Sequence, residues 1–340
     1  MNNGTLTIDP APSTLDVSKD HVGQFQSASL WRARWQVINS IVPYVLLWFV
    51  MDRALAISYW LMLPVALLAA GFLVRIFIIF HDCGHASFFK SKRANNAMGI
   101  FTGLLNMTPY RHWRWQHALH HGTSSDLDRR GTGDVWMMTV QEYLQSTRLE
   151  RLAYRIVRNP LVLFLIGPLF LFVVQQRFAS PTAPERERQS VRRTNLGLCA
   201  LALLMSAVMG FKSFLLIQFT VLAIAGAFGV WLFYVQHQFE DSYWARTGTW
   251  CYTEAALKGS SFYKLPRILQ WFSGNIGFHH IHHLSPRIPN YYLQRCHEAS
   301  PLFATIKPVT LWASLKSLRL RLWDEQRGML VGFRHLRLVR

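Results

Sequence analysis

Fourteen histidines are present in the 340 residues, and eight of them stand at helical spacing within three short strings. In HDCGH, His81 and His85 stand at i and i+4, about 40° apart on a helix of 3.6 residues per turn, so they can grip one metal from one face. In HALHH, His117, His120 and His121 stand at i, i+3 and i+4, which sets three imidazoles on one stripe. The string HHIHH repeats that geometry with His279, His282 and His283. A lone HxxxH arises often enough from packing, but three such strings in one chain do not. Eight neutral imidazoles exceed the three or four protein ligands of a zinc site, so the count fits two metal ions. Imidazole suits iron, copper, nickel and zinc alike, and residue type alone leaves the metal open. The chain has neither a cysteine cluster nor a nucleotide fingerprint, and its membrane segments imply a hydrophobic substrate. Bound metals that themselves activate oxygen are the reading this favours, with two irons the choice.

These histidines need elements to carry them, and composition says what kind. Hydrophobic residues make up 51% of the chain and charged residues 16%, against about 25% charged in an ordinary soluble domain. The apolar residues are clumped into Val37–Met51, Ile57–Phe80, Leu161–Val174, Leu196–Met209 and Phe214–Val235. A crossing needs about 20 apolar residues. The first two runs are long enough with their flanks, and Asp52, Arg53 and Ala54 allow only a tight turn between them. The last two form a second hairpin turning at Gly210 to Ser213. In each hairpin the second helix is expected to be the longer and to protrude, carrying His81 and His85 in one case and His237 in the other. The Leu161–Val174 run is short, has Gly167-Pro168 at its middle, and lies between Arg148–Arg158 and the Arg177, Arg186, Arg188, Arg192, Arg193 series. The positive-inside rule holds both flanks in the cytoplasm, so the run is expected to be re-entrant or interfacial.

The expected fold class is therefore all-α: an integral membrane helical bundle of four transmembrane helices in two hairpins, with re-entrant or interfacial helices and a cytoplasmic histidine-rich cap. Residues 1–34 read as a polar cytoplasmic tail with no signal peptide, 35–300 as the membrane domain, and 301–340 as a basic amphipathic cytoplasmic segment. There Leu311, Leu315, Leu318 and Leu322 share a helical face, the pattern of an interfacial helix. Lys plus Arg is 36 and Asp plus Glu is 18, a formal charge of +18. In a membrane chain this excess faces the cytoplasm and anionic lipid, and nucleic acid is not called for as a partner. Cys83, Cys199, Cys251 and Cys296 have no paired spacing, which excludes a disulfide framework and an iron-sulfur cluster.

The strings HDCGHASFF, WQHALHH, YVQHQFEDSYW and GNIGFHHIHHLSPRIPNY resemble those of the membrane acyl-lipid desaturases, bacterial members and their plant relatives, over about residues 35 to 300. The resemblance implies a non-haem di-iron centre, molecular oxygen as co-substrate, two electrons from an external carrier such as ferredoxin, and a cis double bond placed in a fatty-acyl chain. The acyl group would be carried on lipid, CoA or acyl carrier protein. Carried over residue by residue, the metal ligands are His81, His85, His117, His120, His121, His279, His282 and His283, with His237 of VQHQFED matching a further histidine of the family. A multi-pass protein of the bacterial inner membrane, with its active site on the cytoplasmic face, is implied.

His112 and His280 lie off their strings' stripes and read as surface or supporting groups; His21, His297 and His335 have no cluster. Asp82, Asp126, Asp128, Glu240, Asp241 and Asn275 lie close enough in sequence to orient metal-bound imidazoles. Trp113, Trp115, Trp136, Trp231, Tyr234 and Trp271 either line an acyl tunnel or belong to core and membrane interface. Arg111, Arg114, Arg129, Arg130, Lys258, Lys264 and Arg267 could dock an acidic electron carrier or lipid headgroups. The competing readings are a membrane hydroxylase or ketolase, which differs in making an alcohol or ketone, and a metal transporter, whose ligands would lie within the membrane pathway.

Overall fold

Ser58 ends one long helix and starts the next. Its backbone N–H donates to Ala54 O and its hydroxyl accepts from Trp60 N at 3.2 Å, so a single extended residue turns the chain between α1 (Leu30–Ile57) and α2 (Tyr59–Gly84). The turn falls later than expected: Asp52, Arg53 and Ala54 remain helical, with Arg53 paired to the adjacent Asp52. The computed structural model describes residues 22–337, which leaves His21 outside the described residues. With its extra turns and a start at Leu30, α1 has 28 residues against 26 in α2. In this hairpin the expectation of a longer second helix is not met, although His81 still sits at the end of α2. Val22 is buried, Gln26 Nε2 donates to Ser285 Oγ, and Ser29 N donates to the Tyr291 hydroxyl. The last residues assigned to a polar tail thus pack beside the third histidine string.

After α2 the chain forms α3 (Lys92–Leu105) and α4 (Tyr110–Thr123), which carries the second string. The short β1 (Met138–Thr139) leads into α5 (Val140–Gln145) and α6 (Arg148–Val157). Thr139 with Glu142, and Thr147 with Glu150, close reciprocal capping boxes at the starts of α5 and α6, a signature legible as T-x-x-E. The chain then bends by 61° into a helical run, Val162–Arg177, and returns as α7 (Glu185–Met209) and α8 (Phe211–His237). Gly210 joins these two in a left-handed conformation, φ +84°, that a side chain would strain. Four helices, α1, α2, α7 and α8, are long and apolar enough to cross a membrane. Ala66, Ala69 and Ala70 on α2 are fully buried; small residues of this kind let α1 and α8 approach closely on either side. On α7, Val191 alone is buried, and Leu196, Leu203 and Leu204 face outward.

The 162–177 run packs along the histidine-side half of α8. Phe164 packs on Trp231 and Tyr234 near the end of α8, while Pro168 and Phe172 lie against Gly226. At its far end Arg177 Nη1 donates to Asn195 Oδ1 at 2.8 Å. Asn195 lies as far before Gly210 as Ala225 lies after it, so the run has descended only from the level of Trp231 to about that of Ala225. Ser180 N then donates to His112 Nε2 on α4. Both ends stand on the side of the histidines, as their arginine flanks require.

The remaining elements form the cap: α9 (Tyr252–Lys258), β2 (Phe262–Lys264), α10 (Arg267–Phe272), α11 (His279–Leu284), α12 (Asn290–Glu298), β3 (Pro308–Thr310), β4 (Leu322–Asp324) and β5 (Met329–Val331). Strand β3 pairs in parallel with β2, and β4 lies between β1, in parallel, and β5, antiparallel. This corrects the expected interfacial helix. The α-helix covers only Leu311–Ser314, a 3-10 turn follows to Arg319, and Leu322 sits fully buried in a strand. The apolar spacing that mimics a helical face is overridden because β4 finds ladder partners on both sides and an apolar bed in Val140, Tyr143 and Tyr154.

Candidate metal centre

Three chain segments and one helix end converge on one buried volume. α2 ends with His81 and is capped by His85; α4 brings His117, His120 and His121; α8 terminates in His237; and α11 consists largely of the third string. Before α11, Gly274 and Asn275 take consecutive left-handed conformations, and a Cβ at Gly277 would lie 2.3 Å from Tyr263 O. The glycines at 274 and 277 let the chain turn so close to Ile78 and β2. Tyr252 then donates to His283 O at 2.5 Å and Gln236 Nε2 to Ile276 O at 3.0 Å, fixing the turn and α11 against α9 and α8.

The nine predicted imidazoles are all brought together, in two adjacent groups. One nitrogen from each of His81, His85, His117, His121 and His282 lies within 4.8 Å of the others, and the same holds for His120, His237 and His283. His279 joins the second group through Nε2, 3.1 Å from His237 Nε2. The division follows helix geometry. Each i, i+4 pair, 81/85, 117/121 and 279/283, stays in one group. The third histidine of a string goes to the other: His120 leaves His117 and His121, and His282 leaves His279 and His283. Neighbouring residues on a helix diverge by about 100°. The expectation of three imidazoles on one stripe is therefore refined: the doublets 120/121 and 282/283 each straddle the two groups.

The electrostatics of the cluster suit cations. His121 Nε2 lies 3.1 Å from His117 Nε2 and 3.0 Å from His282 Nε2. Two neutral imidazoles facing nitrogen to nitrogen can pair only if one donates, and here the same atom faces two others. His85 Nε2, His120 Nε2 and His283 Nε2 are buried with no hydrogen-bond partner. Burial first, and then the neighbouring imidazoles, hold His85, His117, His121, His279, His282 and His283 well below the usual histidine range. The rings are neutral with lone pairs available, the form in which imidazole binds a metal. Buried nitrogens without partners cost free energy unless something electropositive lies between them.

Two carboxylates hold imidazoles from behind. Asp82 Oδ1 lies 3.1 Å from His81 Nδ1, and its other oxygen accepts from Asn290 N and Nδ2, tying α2 to α12. Asp134 Oδ1 lies 2.6 Å from His120 Nδ1, while its second oxygen accepts from Gly131 N. Asp134 escapes a reading of sequence neighbours because it lies in a loop outside every string; its signal is the G-x-G-D turn, where Gly133 takes φ +75° against His120. Of the other supporting groups expected, Asp126 and Asp128 bind Arg129, Arg246 and Thr247, Glu240 pairs with Lys316, Asp241 with Lys307, and Asn275 with Gln270 and Asn290 O. They brace the cap at a distance from the imidazoles.

His112 is buried and accepts from Ser180 N, and His280 Nε2 lies 3.3 Å from His297 Nδ1, so neither joins the groups; His335 pairs with Asp324. Among the aromatics, Trp113 stacks on His117 at 4.3 Å, and Phe233, which sequence reasoning passed over, covers His120 and His237. Trp231 and Tyr234 serve the packing of the 162–177 run, Trp136 packs on Tyr154, and Trp271 stacks on Arg75. Of the basic residues, Arg129, Arg130 and Lys258 are paired with Asp126, Glu142 and Glu254.

Comparison with known proteins agrees with this geometry. The family model described as fatty acid desaturase matches residues 58–312. A fatty acid desaturase of Bacillus subtilis is 50% identical over 302 residues, 89% of this chain and 86% of the relative. An sn-1 acyl-lipid omega-3 desaturase (ferredoxin) of a Synechocystis species is 30% identical over 269 residues, 74% of this chain and 68% of the relative. A chloroplastic omega-6 fatty acid desaturase of Spinacia oleracea is 26% identical, over 77% of this chain and 58% of the relative. With four helices able to cross a membrane and its histidine strings folded into one buried cluster, the chain belongs to the fatty acid desaturase family of oxygen-dependent membrane oxidoreductases.

Proposed function

We propose that the chain holds two irons, one bound by His81, His85, His117, His121 and His282 and the other by His120, His237, His279 and His283. The observation that carries this is the sorting of nine imidazoles, seven of them buried, into two touching groups, more nitrogens than one ion accepts. Bound there, the metal would supply the oxidising power, with O2 as co-substrate and two electrons from the carrier, by which two adjacent methylenes of a fatty-acyl chain become a cis double bond and O2 becomes water. The side chains position, orient and exclude water. Asp82 and Asp134 fix the ring orientations of His81 and His120. Trp113 and Phe233 wall the cluster with apolar rings.

The two electrons come from an external carrier. Arg111 and Arg114 on α4, beside the second string and free of any ion pair among the described residues, offer an acidic protein such as a ferredoxin a place to dock. The relative whose name includes ferredoxin supports that class of donor. The arginine series from Arg177 to Arg193 supports a cytoplasmic cap, and the Bacillus relative supports a bacterial inner membrane. Metal analysis of the purified protein, together with product mapping by mass spectrometry in a host lacking desaturases, tests the reading. Two irons per chain and an alkene product are expected; one metal per chain, or an alcohol in place of the alkene, overturns it.

A further inference from the structure

A cavity of about 700 Å³ lies on the histidine side of the α1–α2 hairpin, bounded by α1, α2, α10 and α12. Its wall combines apolar side chains, Phe262, Leu265 and Phe278, with a set of hydrogen-bond donors. Arg75, buried within α2, donates from Nε to Ser40 Oγ at 3.1 Å and from Nη1 to Trp271 O, and it stacks on the Trp271 ring at 3.9 Å; all these partners are neutral. Gln36 is 3% exposed, and its Nε2 is buried with no partner. Lys264 and Arg267 stand at the exposed rim, and among the described residues neither makes an ion pair. The one carboxylate on the wall, Glu298, is exposed and already accepts from Gln294 Nε2. Three cations and an orphaned buried donor around a void call for an anion.

The surroundings say what brings it. Trp31 and Trp35 on α1 and Ile268 on α10 are 74%, 56% and 72% exposed, and Trp271 is also exposed. Indole rings mark the headgroup level of a membrane, so the mouth opens where phospholipid phosphates lie. The inner wall meets the metal centre: Asn290 lines the cavity and donates to Asp82, which orients His81. Arg75 precedes His81 by six residues, about 9 Å of helix.

We propose that this cavity docks the phosphate headgroup of an anionic glycerophospholipid, whose acyl chain then lies beside the metal centre. This assignment rests on the desaturase reading and extends it by placing the polar end of the substrate. The guanidinium of Arg75 and the Gln36 amide bind phosphate and ester oxygens from within, while Lys264 and Arg267 draw the headgroup in from the rim.

The test uses the full iron-loaded chain in neutral detergent, with lipid retention read by native mass spectrometry. Dipalmitoyl phosphatidylglycerol and dipalmitoylglycerol, which differ only in the headgroup, are offered in equal amounts. Wild type is expected to retain the phospholipid at least about tenfold better. The rim double variant Lys264→Glu/Arg267→Glu should lose about tenfold in retention, Gln36→Leu a few-fold, and Lys212→Glu at the opposite end of the molecule nothing. Equal retention of the two lipids, or equal phospholipid retention by wild type and the rim variant, overturns the proposal. So does displacement of the phospholipid by millimolar inorganic phosphate, which would assign the cavity to a free anion. Iron content is measured on the same samples. Its absence alongside selective phospholipid retention would sink the di-iron reading and leave the headgroup site standing.

Discussion

The two imidazole groups share α4 and α11, but α2 serves only the first and α8 only the second, and they differ in number and cover. The first has five members, two of which, His85 and His117, are only partly buried; the second has four, all buried, with Phe233 over them. One ring in each is held by a carboxylate, but Asp82 also clamps α12 whereas Asp134 anchors only its own loop. The lesson is that a site with a spare ligand can sit near solvent, while a smaller one depends on every nitrogen and on being sealed.

The sharpest break of that comparison is removal of one ring from each group. His120→Ala and His237→Ala should each lose one of two irons and about 100-fold or more in turnover, while His85→Ala, with four rings left, should keep more of its metal. Iron per chain and alkene yield check this. Equal metal loss in all three variants would mean that the groups do not differ in reserve, and full activity in His237→Ala would make that ring a bystander.

The carboxylates sharpen the same contrast at smaller scale. Asp134→Ala and Asp82→Ala should each cost about 10–100-fold in activity through loss of ring orientation. Only Asp82→Ala should also lower the melting temperature, since it alone releases Asn290. A matching fall in Tm for Asp134→Ala would show that its loop carries part of the fold.

The least disruptive test concerns which side the groups share. Cysteines placed at Lys90 and Arg186 should both react with a membrane-impermeant thiol reagent from one side, and one at Lys212 from the other. Labelling of positions 90 and 186 from opposite sides would make 162–177 a full crossing.

Local chemistry made much of this visible in the amino-acid order. Helix periodicity placed His81 with His85, and charge placed both ends of 162–177 on one side. What stayed hidden depends on long-range pairing. Nothing near Leu322 reveals that Met138 and Val331 will become its ladder partners, so its helical spacing misleads. Asp134 is similarly invisible because it reaches His120 across a loop rather than along a helix. Asp82 was legible because it adjoins the ring it holds. The tight turn was misplaced because Asp52 and Arg53 can pair while staying helical, and a serine cap five residues later decides the end.

The half-descent of residues 162–177 also gives the molecule a shape. Leu165, Ile166 and Phe170 point outward from it, so in a membrane it would take up area in the leaflet on the histidine side beyond that of the four long apolar helices. Lipids on the two sides are thus asked for unequal area. The protein is a wedge, broad toward its chemistry, and lateral pressure in that one leaflet bears directly on the helix pair that carries His237.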